Sequence, residues 1–471
     1  MDTERSHELK RLSEQLLVRD ADAHAEAIEK LSQQGDERVV PHLVEIVMID
    51  SIANQWEAFG FPEVMRDRSP PRYLELPEAE WPGVVDALCE LAEPNFDSDH
   101  AWVEWETWYS QQDIEPLEGF DEWKLRLYRS YLPPVGGLLE ATPRTFDLQD
   151  IRWGNCDRSF LAALNEPDFV PATEVDAGTD TRDDRRYLTD DDLVFGFEIE
   201  GTAYAVPRWI LFPHELLNAT IDGHSVSLTY CTLCNAPILY ERTVGDRTLT
   251  FGSSGMLLEG NKVMFDEETE SLWSQHRGVP IAGEYLSREE RLDIRSITQT
   301  NWGEWKRENP DSRTLDIETG YDYDYSYYTD EIGIFRHYWE NESVVQPGVE
   351  AAESELPEKE RVYGATTESD GTRIYPTEAV RREGIIVDDD SSDPRVVLED
   401  PTGDVAVYRA PPLPVERNGN ALVDDDQREW TIAREELASR GETLDRVSGR
   451  HGLWFAFRSQ YEDLTVIAGS K

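Results

Sequence analysis

The sequence predicts an α+β protein in which a helical N-terminal region precedes two tandem, mainly-β repeat domains, the second of them degenerate. Three patterns support this prediction. Apolar residues recur at helical spacing near the N-terminus, short alternating segments follow from about residue 150, and part of that second pattern returns after residue 360. We therefore place the domain boundaries at 1–145, 146–340 and 341–471.

Helical spacing is clearest in residues 22–50, where apolar positions lie on both sides of Gly35–Asp36. We expect a helix, a tight turn and a second helix, similar to one unit of a HEAT-type repeat. Aromatic residues between Trp102 and Tyr131 also recur at helical spacing, which predicts two more packed helices. These N-terminal helices could bind a protein partner.

Short strands are the dominant pattern after residue 150. Alternation of apolar and polar residues through 194–207 is interrupted at Glu200–Gly201, which predicts a hairpin. Further hairpins are expected around Gly245–Asp246 and Gly260–Asn261, and a short helix is expected at 301–310.

Three segments of this region are echoed, in the same order, after residue 360. Residues 201–220 resemble 371–389, residues 260–273 resemble 419–430, and residues 301–315 resemble 451–467. Chance explains one such match easily but three in register poorly. Residues 340–360 lie between the two copies, are acidic and contain two prolines, so they predict a linker.

The charge of the chain is extreme and evenly spread. Its 97 acidic and 45 basic residues give a formal net charge of -52, and only seven of the basic residues are lysine. An acidic, lysine-poor surface stays hydrated where concentrated salt screens its repulsion. We therefore expect a salt-adapted protein of a halophilic archaeon. No basic stripe is present, which argues against nucleic-acid binding.

The sequence also bears on the compartment. The first fifteen residues are charged, without an apolar stretch of the kind found in signal peptides, and no segment is apolar enough to span a membrane. Four cysteines in 471 residues do not make a disulfide framework. We expect a cytoplasmic protein with reduced thiols and no membrane contact.

Cys231 and Cys234 mark the strongest candidate site, because they occur only in the first copy. Where the first copy reads LTYCTLCNAPILYER, the second reads VVLEDPTGDVAVYRA. If the thiols served only to stabilise the repeat fold, both copies would need them. The difference indicates one active and one structural half.

Several islands of sequence around these cysteines resemble an uncharacterised family, domain of unknown function 3179 (DUF3179). The islands span roughly 190–330 and comprise Tyr204–Pro207, His214–Glu215 with Asn218, Tyr230–Asn235, Phe251–Gly255 including Ser254, Val263–Asp266, Glu270–Gln275 including Trp273, and Trp302–Trp305. The resemblance implies bacterial and archaeal relatives and brings no established activity or cofactor. We take Glu215, Tyr230, Asn235, Ser254, Trp273 and Gln275 as supporting residues of the site.

The spacing Cys231-x-x-Cys234 suits either a dithiol/disulfide couple or two ligands for a soft metal such as zinc or copper. A zinc site needs more ligands, and the chain has no second pair of this kind. His214 or His276 could complete the set, which only the fold decides. The simplest alternative is two small thiols buried in a β core.

Two hypotheses of function follow. The first is a thiol- or metal-dependent protein for redox chemistry or soft-metal handling, centred on Cys231 and Cys234. The second is a non-catalytic binding or scaffold protein whose cysteines only pack. The residues disclose neither a reaction nor a substrate, so whether the protein is an enzyme stays open. Near matches to zinc deaminase, phosphate-loop and serine-hydrolase motifs all fail on spacing.

Overall fold

The computed structural model of the chain describes residues 2–55, 81–96, 101–154, 156–179, 186–288, 290–329, 336–341, 348–349, 354–367, 371–390 and 393–469. Within these ranges the N-terminal part is helical and the remainder is dominated by strands, as the α+β prediction requires. No helix in the described ranges is both long and apolar enough to cross a membrane.

The described ranges contain thirteen helices, more than half of them before residue 140. They are α1 Asp2–Gln15, α2 Ala21–Gln34, α3 Val40–Gln55, α4 Val84–Leu91, α5 Ala101–Tyr109, α6 Phe120–Tyr131, α7 Pro133–Leu139, α8 Ala172–Val175, α9 Arg208–Leu211, α10 Trp302–Glu308, α11 Arg336–Glu340, α12 Thr377–Glu383 and α13 Trp454–Gln460.

Capping residues fix the helix pair predicted around Gly35–Asp36. The Asp20 carboxylate accepts a hydrogen bond from the backbone N–H of Ala23 and starts α2. Gly35 ends this helix in the left-handed conformation (φ 59°), where a side chain would be strained. The helix α3 follows after a single 3₁₀ turn. The predicted aromatic helices are present as α5 and α6.

The apolar core of the helical region continues into the β structure. Leu43 and Trp123 belong to the same buried cluster as Ile151, Phe265 and Ile281. The helices therefore pack directly against the first β-sheet rather than forming a separate core.

We call residues 151–315 the first β region. Its strands are β1 Ile151–Trp153, β2 Leu164–Asn165, β3 Phe169–Pro171, β4 Asp176–Gly178, β5 Leu188–Thr189, β6 Leu193–Ile199, β7 Thr202–Pro207, β8 Leu216–Ile221, β9 His224–Cys231, β10 Ala236–Glu241, β11 Thr243–Val244, β12 Arg247–Thr248, β13 Phe251–Leu258, β14 Asn261–Asp266, β15 Leu272–Ser274, β16 Val279–Ala282, β17 Ile294–Arg295, β18 Thr298–Asn301 and β19 Arg313–Leu315.

The first β region forms three five-stranded sheets and two short ladders. Sheet A has the order β1-β13-β14-β15-β16, sheet B the order β17-β10-β9-β8-β2, and sheet C the order β18-β6-β7-β19-β3. The ladders are β4-β5 and β11-β12. In sheet C, β6 and β7 form an antiparallel hairpin that β18 extends in antiparallel and β19 in parallel orientation.

We call residues 361–466 the second β region. Its strands are β20 Arg361–Thr367, β21 Gly371–Pro376, β22 Ile386–Asp388, β23 Arg395–Glu399, β24 Val405–Arg409, β25 Glu416–Asn418, β26 Ala421–Val423, β27 Glu429–Ile432, β28 Glu436–Ser439, β29 Glu442–Asp445, β30 Arg450–Leu453 and β31 Leu464–Val466.

These strands form three further sheets. Sheet D has the order β30-β20-β21-β31, sheet E the order β22-β23-β24, and sheet F the order β25-β26-β27-β28-β29. In sheet D, the β20–β21 hairpin is extended by β30 in antiparallel and by β31 in parallel orientation.

Hydrogen bonds join the two β regions directly. The Asp404 carboxylate accepts the backbone N–H of Gln299 at 2.9 Å, and the Arg446 guanidinium donates to the carbonyl of Ile297 at 3.2 Å. Both Asp404 and Arg446 are buried. The two regions therefore meet at an interface that includes buried polar contacts.

Candidate thiol site

Cys231 and Cys234 lie in and next to the turn that joins β9 to β10. Cys231 ends β9 and pairs with Ala236, the first residue of β10. Asn235 closes the turn with a left-handed backbone (φ 47°), a conformation that asparagine tolerates better than most residues. The turn holds the two Sγ atoms 2.9 Å apart. The strand pairing and the turn therefore place the two thiols side by side.

Both sulfurs are enclosed by protein. Cys231 is 2% exposed and Cys234 is 0% exposed. The Cys234 sulfur accepts a hydrogen bond from Asn261 Nδ2 at 3.3 Å. The backbone carbonyl of Cys234 accepts the N–H of Leu453, in the second β region, at 2.9 Å. The apolar side chains of the same buried cluster are those of Ala236, Val349, Leu453, Phe455 and Ala456. Reaction at either sulfur therefore requires local opening of this packing.

The two thiols differ in acidity. Burial opposes ionisation of Cys231, but hydrogen bonds to its sulfur from the Cys234 thiol and from the backbone N–H groups of Lys262 and Cys234 lower its pKa below the ordinary value. Burial and the adjacent Cys231 sulfur raise the pKa of Cys234 well above the ordinary value. Cys231 is therefore the more acidic thiol of the pair.

A buried ion pair between Glu215 and Lys262 lies beside the thiols. The Glu215 carboxylate also accepts the Thr232 hydroxyl at 2.7 Å, and Glu215 has a left-handed backbone (φ 56°), which is uncommon for a glutamate. The charge of Glu215 opposes ionisation of Cys231, and burial together with Glu215 raises the pKa of Cys156 to about 12. The ion pair is therefore a fixed electrostatic influence on the thiols.

Gln275 connects the two turns that carry the site. Its Oε1 accepts Asn261 Nδ2 at 3.0 Å, and its Nε2 donates to Thr229 Oγ1 at 2.9 Å and to the Ala236 carbonyl at 3.1 Å. All three residues that it contacts are buried. Gln275 thereby fixes the β13–β14 turn against the strands that hold the cysteines, which is a positioning role.

The other supporting residues also act on the framework. The Tyr230 hydroxyl donates to Asn235 Oδ1 at 3.0 Å and braces the cysteine turn from within. The Ser254 hydroxyl donates to the Val263 carbonyl at 2.6 Å, at an irregularity in the pairing of β13 with β14. Trp273 Nε1 donates to Asp266 Oδ2 at 2.9 Å.

The two candidate histidines have partners other than the sulfurs. His214 lies 2.6 Å from the Ala162 carbonyl through Nδ1 and 2.6 Å from the Tyr325 hydroxyl through Nε2. Burial lowers its pKa to about 4. His276 packs edge-on against the Phe457 ring, and its Nδ1 lies 3.3 Å from the Tyr461 hydroxyl. The structure thus places both rings in hydrogen-bonded or aromatic surroundings of their own.

A zinc site would need a larger ligand set than the two thiols provide. Across the part of the chain that the structure describes, no group of three or more His, Cys, Asp or Glu side chains is arranged to hold a metal ion. The described residues therefore offer a pair of adjacent sulfurs at this site and no complete zinc ligand set.

Sequence reasoning missed Lys262, Asn261 and Cys156. The first two follow Gly260 in a hairpin turn, where only their pairing across β13 and β14 brings them to the cysteines. One feature of the sequence could have drawn attention to Lys262, because it is one of only seven lysines in the chain. Cys156 is isolated in sequence, and its proximity to Glu215 depends on the tertiary fold.

Comparison with known proteins supports the resemblance seen in the sequence. Residues 161–464 match the family model described as protein of unknown function (DUF3179). No curated protein and no solved structure matches the chain. The match covers most of both β regions and includes the thiol site.

Proposed function

Because the chain belongs to the DUF3179 family, whose description assigns no activity, we propose a function from the site itself: Cys231 and Cys234 form a dithiol/disulfide couple that exchanges electrons with small disulfides. The observation that carries this proposal is the 2.9 Å separation of two thiols whose pKa values are shifted in opposite directions. A thiolate beside a protonated thiol is the arrangement that thiol–disulfide exchange uses.

The exchange takes place in two steps. The Cys231 thiolate attacks one sulfur of a small disulfide, forms a mixed disulfide and releases the first thiolate. Cys234 then transfers its proton to a released thiolate and attacks the Cys231 sulfur, which breaks the mixed disulfide and frees the second thiolate. The protein loses two electrons as its disulfide forms, and the substrate gains them as one thiol, which holds the Cys234 proton, and one thiolate, which takes a proton from solvent. Burial of both sulfurs limits the substrate to a small molecule.

Alkylation against pH tests the asymmetry. We expect iodoacetamide to label Cys231 first, with a midpoint below the ordinary thiol pKa of about 8.5, because its thiolate persists to lower pH. Cys234→Ala removes one hydrogen bond to the Cys231 sulfur and should move that midpoint upward. Cys89→Ala, at a thiol away from the site, should leave it unchanged. An unchanged midpoint in Cys234→Ala would contradict the proposed coupling.

Oxidation tests the couple itself. Equilibration with mixtures of oxidised and reduced dithiothreitol should interconvert two forms that differ by two hydrogen atoms, and mass spectrometry of peptides should place the bond between Cys231 and Cys234. The Cys231→Ser variant should not interconvert. The native protein could instead stay reduced at every ratio of oxidised to reduced dithiothreitol that oxidises free thiols. That result would favour the second hypothesis, a binding or scaffold protein in which the cysteines only pack. The apolar cluster around both sulfurs favours that second candidate.

We also propose that the two β regions are tandem copies of one domain, the second degenerate. Sheets C and D share one arrangement of a hairpin, an antiparallel neighbour and a parallel neighbour. Trp273 donates to Asp266, and Trp430 donates to Asp424, both at 2.9 Å. The domain boundaries 1–145, 146–340 and 341–471 follow from this proposal, with the α2–α3 pair as a HEAT-like unit.

We further propose a cellular setting for the protein. A net charge of -52 with few lysines supports a cytosolic protein of a salt-accumulating haloarchaeon. Such a compartment is reducing, which would keep Cys231 and Cys234 poised as thiols.

A further inference from the structure

Three arginines meet at the junction of the two β regions, and none of them has an ion-pair partner among the described residues. Arg277 and Arg291 belong to the first region, where the backbone N–H of Leu292 donates to the Gly278 carbonyl at 2.8 Å and holds their two segments together. Arg450 belongs to β30 of the second region. Because acidic residues outnumber basic residues by 97 to 45, three arginines without a carboxylate are an exception in this chain.

Tyr461 and His276 locate the three arginines relative to one another. Burial raises the pKa of the Tyr461 hydroxyl, and the charges of Arg450, Arg277 and Arg291 oppose this rise. Burial lowers the pKa of His276 well below its ordinary value, and Arg450 and Arg277 lower it further. The Tyr461 hydroxyl donates to the His276 carbonyl at 3.1 Å, so the two groups lie side by side. Among the described residues, the charges that act on both groups are all positive, which makes this a site of positive potential.

Arg450 supplies the buried part of the positive charge. Its Cζ lies 6.0 Å from the centre of the Tyr461 ring, and its side chain is almost fully enclosed by protein. The guanidinium donates to Thr366 Oγ1 at 3.5 Å and interacts with the Tyr240 hydroxyl, and neither of these groups carries a charge. Its Nε has no acceptor in the part of the chain that the structure describes. A buried guanidinium keeps its proton, so an anion at this place would stabilise it.

The other two arginines make the site accessible. Arg291 is exposed to solvent, and Arg277 and Tyr461 are half-buried. An anion that arrives from solvent can therefore contact Arg277 and Arg291, while Arg450 adds its charge from the interior.

A phosphate group matches this site in charge and in geometry. A guanidinium can donate two parallel hydrogen bonds to phosphate oxygens, and a phosphate dianion offsets more of the positive charge than a carboxylate does. The rest of the chain is strongly acidic and repels anions, but molar salt screens that repulsion beyond roughly 3 Å and weakens direct contacts at partly buried groups much less.

We propose that Arg277, Arg291 and Arg450 bind a phosphate group, carried either by free phosphate or by a small phosphate monoester. This inference is independent of the thiol chemistry, because no part of it uses Cys231 or Cys234.

Calorimetric titration of the full-length protein in concentrated KCl tests the proposal, with inorganic phosphate and glycerol 3-phosphate as probes. Acetate and glycerol are the singly charged and uncharged comparisons. We expect saturable binding of at least one probe, and affinity at least roughly tenfold lower for both comparison compounds, a difference of about 1.4 kcal/mol. Tighter binding of the monoester would identify a phosphorylated small molecule as the ligand, and equal or tighter binding of inorganic phosphate would identify free phosphate. The proposal would be overturned if neither probe binds, or if acetate binds as tightly as the probes.

Variants and chemical protection connect the binding to the arginines. Arg277→Met and Arg291→Met should each weaken the binding of the probe at least roughly tenfold, because each removes a charged hydrogen-bond donor. Arg288→Met is the matched control and should bind as the native protein does, since Arg288 lies in the same segment as Arg291 but is paired with Glu284. In the native protein, the bound probe should protect Arg277 and Arg291 from phenylglyoxal and leave Arg288 reactive, as mapped by mass spectrometry of peptides. Native affinity in both variants, or no protection of either arginine, would show that the phosphate binds elsewhere.

Discussion

The opposite shifts of the Cys231 and Cys234 pKa values arise from a few hydrogen bonds in a buried space. Burial opposes ionisation of both sulfurs, so whichever sulfur receives more N–H and S–H donors ionises first. Cys231 receives them from Lys262 and Cys234. The sulfur that attacks first in the proposed exchange therefore depends on the backbone around the two cysteines as much as on the cysteines themselves.

A substitution at Lys262 tests how much its buried ion pair with Glu215 contributes to stability. Lys262→Met removes the partner of Glu215 and leaves a carboxylate at 7% exposure without its counter-charge. We expect a loss of about 3–5 kcal/mol in the free energy of unfolding, measured by guanidinium denaturation. Lys30→Met, in the exposed pair with Glu26, should cost no more than about 1 kcal/mol.

The double variant Glu215→Gln, Lys262→Met separates charge from packing. It removes both charges together, so most of the lost stability should return. A double variant as unstable as Lys262→Met alone would mean that side-chain packing, rather than the unpaired carboxylate, sets the cost.

Single residues also show the limit of prediction from sequence. The pair Cys231-x-x-Cys234 is visible because four neighbouring residues contain the whole feature. Proximity in sequence makes His214 and His276 possible ligands. In the structure the His214 ring is hydrogen-bonded to Tyr325, and the His276 ring packs on Phe457. Nearness along the chain does not fix which face of a strand or turn a side chain takes.

At the scale of elements, one helix of each β region packs an aromatic ring onto a glycine of the central hairpin. A Cβ atom at Gly196 would lie 2.2 Å from the Trp305 ring of α10, and one at Gly364 would lie 2.1 Å from the Phe457 ring of α13. Neither distance is compatible with a real carbon contact. The glycines therefore allow each helix to lie directly on its sheet.

Alanine substitution tests this packing in both regions. Gly196→Ala and Gly364→Ala should each lower the free energy of unfolding by about 1–3 kcal/mol, the usual cost of an added carbon in a filled core. Gly137→Ala, in α7 with open space around it, should instead stabilise by up to about 1 kcal/mol. A large cost at only one of the two sheet positions would argue against equivalent roles for α10 and α13.

Elements with a local signal were predicted well. The hairpin at Glu200–Gly201 forms as β6–β7, with both residues in left-handed conformations. The turn of the β13–β14 hairpin consists of Glu259 and Gly260, one residue before the predicted centre. A hairpin turn of this kind needs two residues that accept unusual backbone angles, so the residue types alone predict where the turn lies.

At the scale of the whole molecule, the formal net charge of -52 leads us to expect a stability that depends on salt. Below about 1 M KCl, where the screening length rises above roughly 3 Å, repulsion among surface carboxylates should lower the melting temperature and broaden the transition. Thermal unfolding followed by circular dichroism across a KCl series checks this. Sucrose at matched osmolality stabilises by exclusion but adds no ions, so it should raise the melting temperature less than KCl does. A melting temperature independent of KCl would contradict the salt adaptation.

The sequence by itself determined the α+β class, the helix pair around Gly35, the main hairpins, the family and the position of the cysteine pair. Each of them follows from the types of residues and their spacing along the chain, with no need for contacts between distant segments. Only the tertiary structure decided which groups meet. It brought Lys262 and Asn261 from one hairpin, Glu215 from another segment and Leu453 from the second β region to the same thiols. It also placed Asp404 and His451 in one wall of a cavity between the regions. Such contacts depend on strand register and sheet packing, which a local pattern of residues does not specify.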